Sequence, residues 1–149
     1  MEDSYEAIRR LFIAINKIDG SYYFASRHLG INENTLALLY ALDDGGSHSQ
    51  KQICEEWLIP KTTINTIVKE LIADGYVTLV SGVRKREKII RLTPEGQAYT
   101  KHLMKNFYRA EQEALKETLK LFSPDFIKAM EYFSTQLEKA FQTNILNDK

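Results

Sequence analysis

The chain has little of several residue types, and each shortage excludes a class of protein. A single Cys among 149 residues excludes an intramolecular disulfide framework and a multi-cysteine zinc site. Seven Gly and three Pro, beside 44% hydrophobic residues, exclude a collagen-like, low-complexity or disordered chain. No hydrophobic run approaches the roughly 18 residues of a membrane span, and the acidic N-terminus lacks the order of a signal peptide. The sequence predicts a cytoplasmic protein without a membrane partner.

Net charge is also absent, because 20 basic residues balance 20 acidic ones. The charges are unevenly placed, however. Residues 1–58 carry 5 basic and 9 acidic side chains, residues 59–101 carry 8 and 4, and residues 102–149 carry 7 of each. A basic segment inside a neutral chain predicts contact with an anionic partner such as nucleic acid.

Apolar residues recur at helical spacing through the first third of the chain. The spacing predicts a helix over 4–18 that runs into Gly20, with a short helical continuation over 22–29. Asn32 is the predicted N-cap of the next helix, Glu33–Leu42. Leucines surround this second helix on most sides, which predicts that it lies in the centre of the core.

Two short helices separated by a tight turn follow, the pattern of a helix-turn-helix. The segment Ser49-Gln50-Lys51-Gln52 predicts a capping box that begins the first helix, which ends near Trp57. Pro60 precedes the second helix, Lys61–Ala73, whose buried face is predicted to include Ile72, and Gly75 stands at the usual C-terminal position.

A hairpin and two long helices complete the chain. Residues 76–81 and 88–93 are β-prone, and the polar, basic segment 82–87 between them predicts a charged hairpin tip. Thr93 and Pro94 begin a helix to about residue 121, and Ser123-Pro124-Asp125 begins the last one.

The predicted fold is therefore mainly α with a small β-hairpin. A winged helix-turn-helix occupies residues 31–96, with the wing at about 76–93. It is flanked by an N-terminal dimerisation helix region at 1–30 and a C-terminal helical dimerisation arm at 97–149. The terminal helices have apolar stripes that a small winged domain cannot cover, which predicts an isologous dimer. Intramolecular packing of three helices is the alternative.

From about residue 29 to residue 96 the chain resembles the MarR (multiple-antibiotic-resistance regulator) family of bacterial transcription factors. The resemblance rests on motifs that stand in order, namely Ser49-Gln50-Lys51-Gln52-Ile53, Ile59-Pro60-Lys61-Thr62-Thr63-Ile64, Leu71-Ile72-Ala73-Asp74-Gly75-Tyr76, the wing, and Ile90-Arg91-Leu92-Thr93-Pro94-Glu95-Gly96. The family's wing commonly has an Asp two residues before a tip Arg. Arg86 corresponds to that Arg and Arg84 stands at the Asp position, so this wing is more basic.

The resemblance implies a homodimeric repressor that reads a pseudo-palindromic operator in double-stranded DNA, with recognition helices about 34 Å apart. It also implies release by a small aromatic or anionic effector bound between the arms and the winged domain. Tyr22, Tyr23, His28 and Tyr40 lie in segments that would line such a cleft, although core packing also explains aromatic residues there.

The predicted DNA contacts come from the start of the first motif helix, the polar face of the recognition helix and the wing. Hydroxyl and amide groups reach base edges or phosphates, and wing cations reach phosphates or the minor groove. Helix capping alone also explains Ser49, and solvated charge is the alternative for the other groups. The predicted residues are Ser49, Gln50, Lys61, Thr62, Thr63, Asn65, Thr66, Lys69, Arg84, Lys85, Arg86 and Lys88.

Other chemistry has little support in the sequence. Cys54 is predicted to be structural, because the neighbouring Glu55 and Glu56 raise its pKa. Three scattered His do not form a metal cluster, and no catalytic motif stands out, so we expect no enzyme activity, metal or cofactor. The rival function is a winged-helix module that binds an acidic protein without specific DNA binding, and the concentration of charge on the wing favours DNA.

Overall fold

The computed structural model describes residues 3–82 and 86–147. The chain divides into two compact units, Met1–Met104 and Lys105–Lys149. The helices and strands are α1 (Ser4–Leu29), α2 (Glu33–Leu42), β1 (His48–Ser49), α3 (Gln50–Trp57), α4 (Lys61–Ala73), β2 (Val77–Ser81), β3 (Lys88–Leu92), α5 (Pro94–Leu119) and α6 (Asp125–Phe141). A π-helical turn, Gln142–Leu146, follows α6. The predicted fold class is confirmed.

Helix α1 is continuous, so the two predicted helical segments, 4–18 and 22–29, form one helix that passes through Gly20. Asp3 caps its start, since the side chain accepts a hydrogen bond from the Tyr5 amide at 3.0 Å, and Gly30 ends it with a φ of 71°. A glycine inside a helix costs only about 1 kcal/mol relative to alanine. The apolar periodicity on both sides of Gly20 outweighs that cost.

The core of the first unit is built around α2. Leu38, Leu39 and Leu42 are buried, as predicted for a central helix, and they belong to one cluster with Ile64 of α4 and Ile90 of β3.

One residue of the predicted α4 stripe lies outside this core. Ile72 is 43% exposed, whereas its neighbour Leu71 is buried. The predicted burial of Ile72 is therefore wrong, because its position falls at the edge of the stripe that faces α2.

The sheet has three strands instead of the predicted two. Strand β3 pairs antiparallel with β2, from Val77 opposite Leu92 to Ser81 opposite Lys88, and with β1 on its other side. Two residues are too few to show an alternating pattern, so β1 could not be predicted from the sequence. This short strand places Ser49 next to the wing.

The predicted helix starts are confirmed. The side chain of Asn32 accepts from the Asn34 amide at 2.9 Å, and Thr93 Oγ1 accepts from the Gly96 amide at 3.0 Å. Ser49 Oγ accepts from the Gln52 amide at 3.0 Å, which is one half of the predicted capping box. The side chain of Gln52 donates instead to Glu56 Oε1 at 2.8 Å.

The second unit contains the end of α5 and all of α6. Within the described residues, α6 has no buried side chain. It nevertheless carries an apolar stripe at helical spacing, with Phe126 and Phe141 exposed and Met130, Phe133 and Leu137 partly exposed. Among the residues described, no helix is long and apolar enough to cross a membrane.

Candidate nucleic-acid interface

The turn between α3 and α4 holds a strained residue. Leu58 follows α3 with a φ of 51° and a ψ of 43°, the left-handed region that L-residues with a Cβ avoid. Its side chain is 86% exposed, whereas the next residue, Ile59, is 2% exposed. The turn therefore anchors α4 through Ile59 and keeps a leucine where glycine or asparagine is more easily accommodated.

We expect Leu58→Asn to stabilise the protein by about 0.5–1 kcal/mol, because asparagine tolerates the left-handed region. Leu58→Ala is the matched control, since it removes the same exposed side chain and retains the backbone strain. Urea denaturation measures both variants. Equal stabilities of the Ala and Asn variants would contradict the assignment of strain to this residue.

Helix α4 presents a polar face opposite its buried stripe. Lys61, Thr62, Thr66 and Lys69 are exposed, while Thr63 and Asn65 are partly buried. The hydroxyl of Thr66 donates to the carbonyl of Thr62 at 3.1 Å. Of the six predicted DNA contacts on α4, four therefore have side chains that are open to a partner.

A hydrogen bond between Gln50 and Asn65 joins α3 to α4. The side-chain amide of Gln50 donates to Oδ1 of Asn65, and Gln50 is buried. The sequence predicts that Gln50 touches phosphate, because the N-terminus of a helix binds anions. The structure instead places the Gln50 amide to hold Asn65.

A groove of about 700 Å³ lies between α3, α4 and the wing. It collects half of the predicted residues, namely Ser49, Gln50, Lys61, Asn65, Arg86 and Lys88, together with four that were not predicted, Lys51, Cys54, Glu55 and Glu87. Arg84 and Lys85, the other predicted wing residues, lie outside the described residues.

The groove carries an excess of positive charge. Lys51 lies 4.0 Å from Glu55, and both side chains are well exposed, so this pair contributes little to stability. Lys61, Arg86 and Lys88 have no ion-pair partner within residues 3–82 and 86–147. These three cations are therefore available to an anionic partner.

Another wing cation is held away from the groove. Arg91 Nε donates to Ser47 Oγ at 2.7 Å, in the loop before β1. His48, the first residue of β1, lies 2.8 Å from Asp44 Oδ1, and its hydrogen bond is the main cause that lowers the pKa of the Asp44 carboxyl.

Cys54 lies partly buried on the wall of the groove. Burial raises the pKa of its thiol, Lys61 lowers it, and Glu55 raises it, with burial the largest effect. A raised pKa keeps the thiol protonated at neutral pH, as expected of a structural cysteine. In the part of the chain that is described, no three His, Cys, Asp or Glu side chains are grouped to hold a metal.

A second concavity, which we call the aromatic cleft, lies between α1, α2 and the end of α3 and has a volume of about 290 Å³. Two of the predicted effector residues, Tyr22 and Tyr40, line it. The other two, Tyr23 and His28, are exposed and lie outside the lining, so their predicted role stays a prediction. The lining residues are Ile18, Asp19, Tyr22, Glu33, Leu36, Ala37, Tyr40 and Trp57.

Comparisons of sequence agree with this geometry. The sequence model of the MarR family matches residues 29–87. The HTH-type transcriptional regulator YwoH of Bacillus subtilis (strain 168) is 27% identical over 88 residues, which are 59% of this chain and 64% of YwoH. The chain thus spans less than two thirds of the curated relative that it matches.

Comparisons of structure extend the likeness to the flanking helices. NMB1585, a MarR family regulator from Neisseria meningitidis, has a TM-score of 0.73 and 25% identity, over 95% of this chain and 99% of its own. A putative MarR family regulator from Listeria monocytogenes, complexed with 26mer DNA, has a TM-score of 0.65 and 17% identity, over 98% and 93%. BpsR of Bordetella bronchiseptica, whose DNA binding is regulated by 6-hydroxynicotinic acid, has a TM-score of 0.55 and 22% identity, over 92% and 94%.

The last two likenesses concern the fold alone, because their sequence identities are low. The family match covers the helix-turn-helix and the first part of the wing, the same elements that build the groove. The resemblance predicted from the sequence is therefore confirmed, since residues 29–87 match the sequence model of the MarR family and the whole chain is similar in fold to solved MarR family regulators.

Proposed function

We propose that this protein is a homodimeric repressor that binds a pseudo-palindromic operator and is released by a small effector. In this proposal α4 enters the major groove, and the wing, including Arg84 and Lys85, lies on the adjacent backbone. The observation that carries the proposal is the groove itself. Three of its cations, Lys61, Arg86 and Lys88, have no ion-pair partner among the described residues and stand beside the exposed polar face of α4.

Phosphate contacts supply most of the binding free energy of such a protein and position it on the duplex. Lys61 at the start of α4 and the wing cations are placed for this role. Helix α4 contains no Arg, the residue that makes the strongest contact with guanine. Direct reading of bases is therefore modest in the proposal, and DNA shape at the wing contributes.

The proposed dimer accounts for exposed apolar surface in both units. In α1, Ile13 is 67% and Phe24 is 68% exposed, and α6 carries the apolar stripe described above. Exposed apolar stripes of this kind mark interaction surfaces, and in the proposed dimer a second copy of the chain covers them symmetrically.

Release by an effector is proposed because BpsR, which has a similar fold, is regulated in its DNA binding by a small aromatic acid. Tyr22 and Tyr40 of the aromatic cleft are the proposed contacts. We propose a cytoplasmic location, where the chromosome of a bacterium is found.

Selection from a pool of random duplexes at about 150 mM salt tests the proposal. We expect enrichment of a palindrome whose half-sites lie about one helical turn apart. With about four phosphate contacts per subunit, log K should fall against log salt with a slope of roughly −7. Unselective binding with a shallow slope, or a protein of monomer mass in light scattering, would contradict the proposal.

A further inference from the structure

The aromatic cleft has a one-sided charge. Asp19 of α1 and Glu33 at the start of α2 lie at its rim, and both are exposed. Among the described residues, the lining contains no Lys, Arg or His. Neither carboxylate has an ion-pair partner within residues 3–82 and 86–147. Within the described residues, the charged side chains that line the cleft are therefore all negative.

The walls of the cleft are aromatic and its floor is apolar. The rings of Tyr40 and Trp57 lie with centroids 5.4 Å apart at an interplanar angle of 57°, so they form a corner, and Tyr22 lines the side that α1 contributes. Leu36, which is buried, forms part of the floor. Aromatic faces attract organic cations through their negative electrostatic potential.

We propose that the aromatic cleft binds a small organic cation, an ammonium group attached to an aromatic ring. The ring packs on the apolar floor, and the ammonium group lies between the aromatic faces and the carboxylates of Asp19 and Glu33. A volume of about 290 Å³ is at the lower end of the range for ligand pockets, so it suits a ligand of one or two rings. An anion would meet two carboxylates, which argues against the anionic effector implied by the family resemblance.

The position of Trp57 connects this cleft to DNA binding, and this part of the inference rests on the proposed function. Trp57 is the last residue of α3, and the strained Leu58 and the anchor Ile59 follow it directly before α4 begins. A ligand that packs on Trp57 therefore acts two residues from the buried side chain that positions the recognition helix. Occupancy of the cleft is expected to change the affinity for DNA.

The experiment uses the whole chain of 149 residues without DNA, and three probes that share a phenyl ring. These are phenethyltrimethylammonium, the neutral 2-phenylethanol and the anionic 3-phenylpropionate. Trp57 is the sole tryptophan of the chain, so its fluorescence reports on the cleft itself. We expect the cation to quench this fluorescence and to bind at least tenfold more tightly than either analogue. Equal or tighter binding of the anion would overturn the proposal.

A double variant tests the two carboxylates. We expect Asp19→Asn with Glu33→Gln to weaken binding of the cation about fivefold to tenfold and to leave 2-phenylethanol unaffected, because only the charge is removed. Glu6→Gln with Glu70→Gln is the matched control, since it changes the net charge equally at exposed positions outside the cleft. Equal losses in both double variants would overturn the assignment of these carboxylates.

The coupling to DNA is measured separately, by titrating the selected duplex with and without a saturating concentration of the cation. A shift of at least fivefold in Kd supports the regulatory part, and an unchanged Kd overturns it. Failure of the proposed function can be told apart from failure of this inference. If the protein does not bind DNA specifically, it selects no duplex, but the fluorescence titration still shows whether the cleft binds the cation.

Discussion

Replacing Gly96 with Ala is expected to destabilise the winged helix by about 3 kcal/mol, which is a large part of the stability of a small protein. Gly96 lies in the first turn of α5 and packs against the backbone of Tyr76. A Cβ added to it would overlap with the Tyr76 carbonyl oxygen. That oxygen also accepts a hydrogen bond from the Thr93 amide at 3.0 Å. Because the obstacle is backbone, no side chain can rotate to make room.

The matched control is the other helical glycine of the first unit. A Cβ at Gly20 would lie 4.0 Å from the ring of Phe24, an ordinary contact. We therefore expect Gly20→Ala to stabilise the protein by about 0.5–1 kcal/mol through helix propensity, whereas Gly96→Ala lowers Tm by roughly 10 °C. Thermal and urea denaturation of the two variants measure both effects. Similar small changes in the stability of both variants would show that α5 does not pack as closely against the Tyr76 backbone as the structure indicates.

This junction shows what the sequence predicts and what it does not. Thr93 as an N-cap, Pro94 in the first turn and Gly75 at a helix end are local signals, and the structure confirms each. The need for glycine at position 96 comes from a residue 20 positions earlier in the chain. No local pattern carries that information, because the constraint exists only after β2 and α5 have packed.

In the candidate interface too, some features could be predicted from local sequence and others depend on tertiary contacts. The polar face of α4 follows from helical periodicity, and the structure leaves most of it exposed. The burial of Gln50, the third strand and the left-handed Leu58 were missed, because each depends on a tertiary contact that overrides the usual preference of the residue. Trp57 was missed as a cleft residue because the end of a short helix gives no sign of which helix it will face.

The largest expected effects on DNA binding separate two kinds of contact. We expect Arg86→Ala to weaken binding to operator and random duplexes alike, by roughly tenfold, because Arg86 is an unpaired cation at the wing. Two copies per dimer should make the salt slope shallower by about 2. Arg91→Ala is the matched control on the same hairpin. Its side chain is tied to Ser47 outside the groove, so the affinity should change less than about twofold.

Asn65→Ala is expected to act on the operator alone, with a loss of roughly 100-fold across two half-sites and little change on random DNA. Each specific contact to a base edge contributes about 1–3 kcal/mol of discrimination. The Oδ1 atom of Asn65 is engaged by Gln50, so the amide NH₂ is the group that Asn65 offers to a base. The expected partners are acceptors of the major groove, such as purine N7, guanine O6 or thymine O4.

Gln50→Leu decides between the sequence-based and the structural interpretation of Gln50. A glutamine that touches phosphate would, when replaced, weaken all duplexes equally and make the salt slope shallower. The buried Gln50 of the structure instead orients Asn65. Replacing Gln50 should therefore lower the affinity for the operator about fivefold to tenfold. The affinity for random DNA and the salt slope should stay unchanged. In a protein that already carries Asn65→Ala, the replacement should have almost no further effect. Competition binding at two salt concentrations measures all four proteins of this cycle. Additive losses in the double variant would show that the two side chains act independently, because residues that work through one hydrogen bond cannot lose it twice.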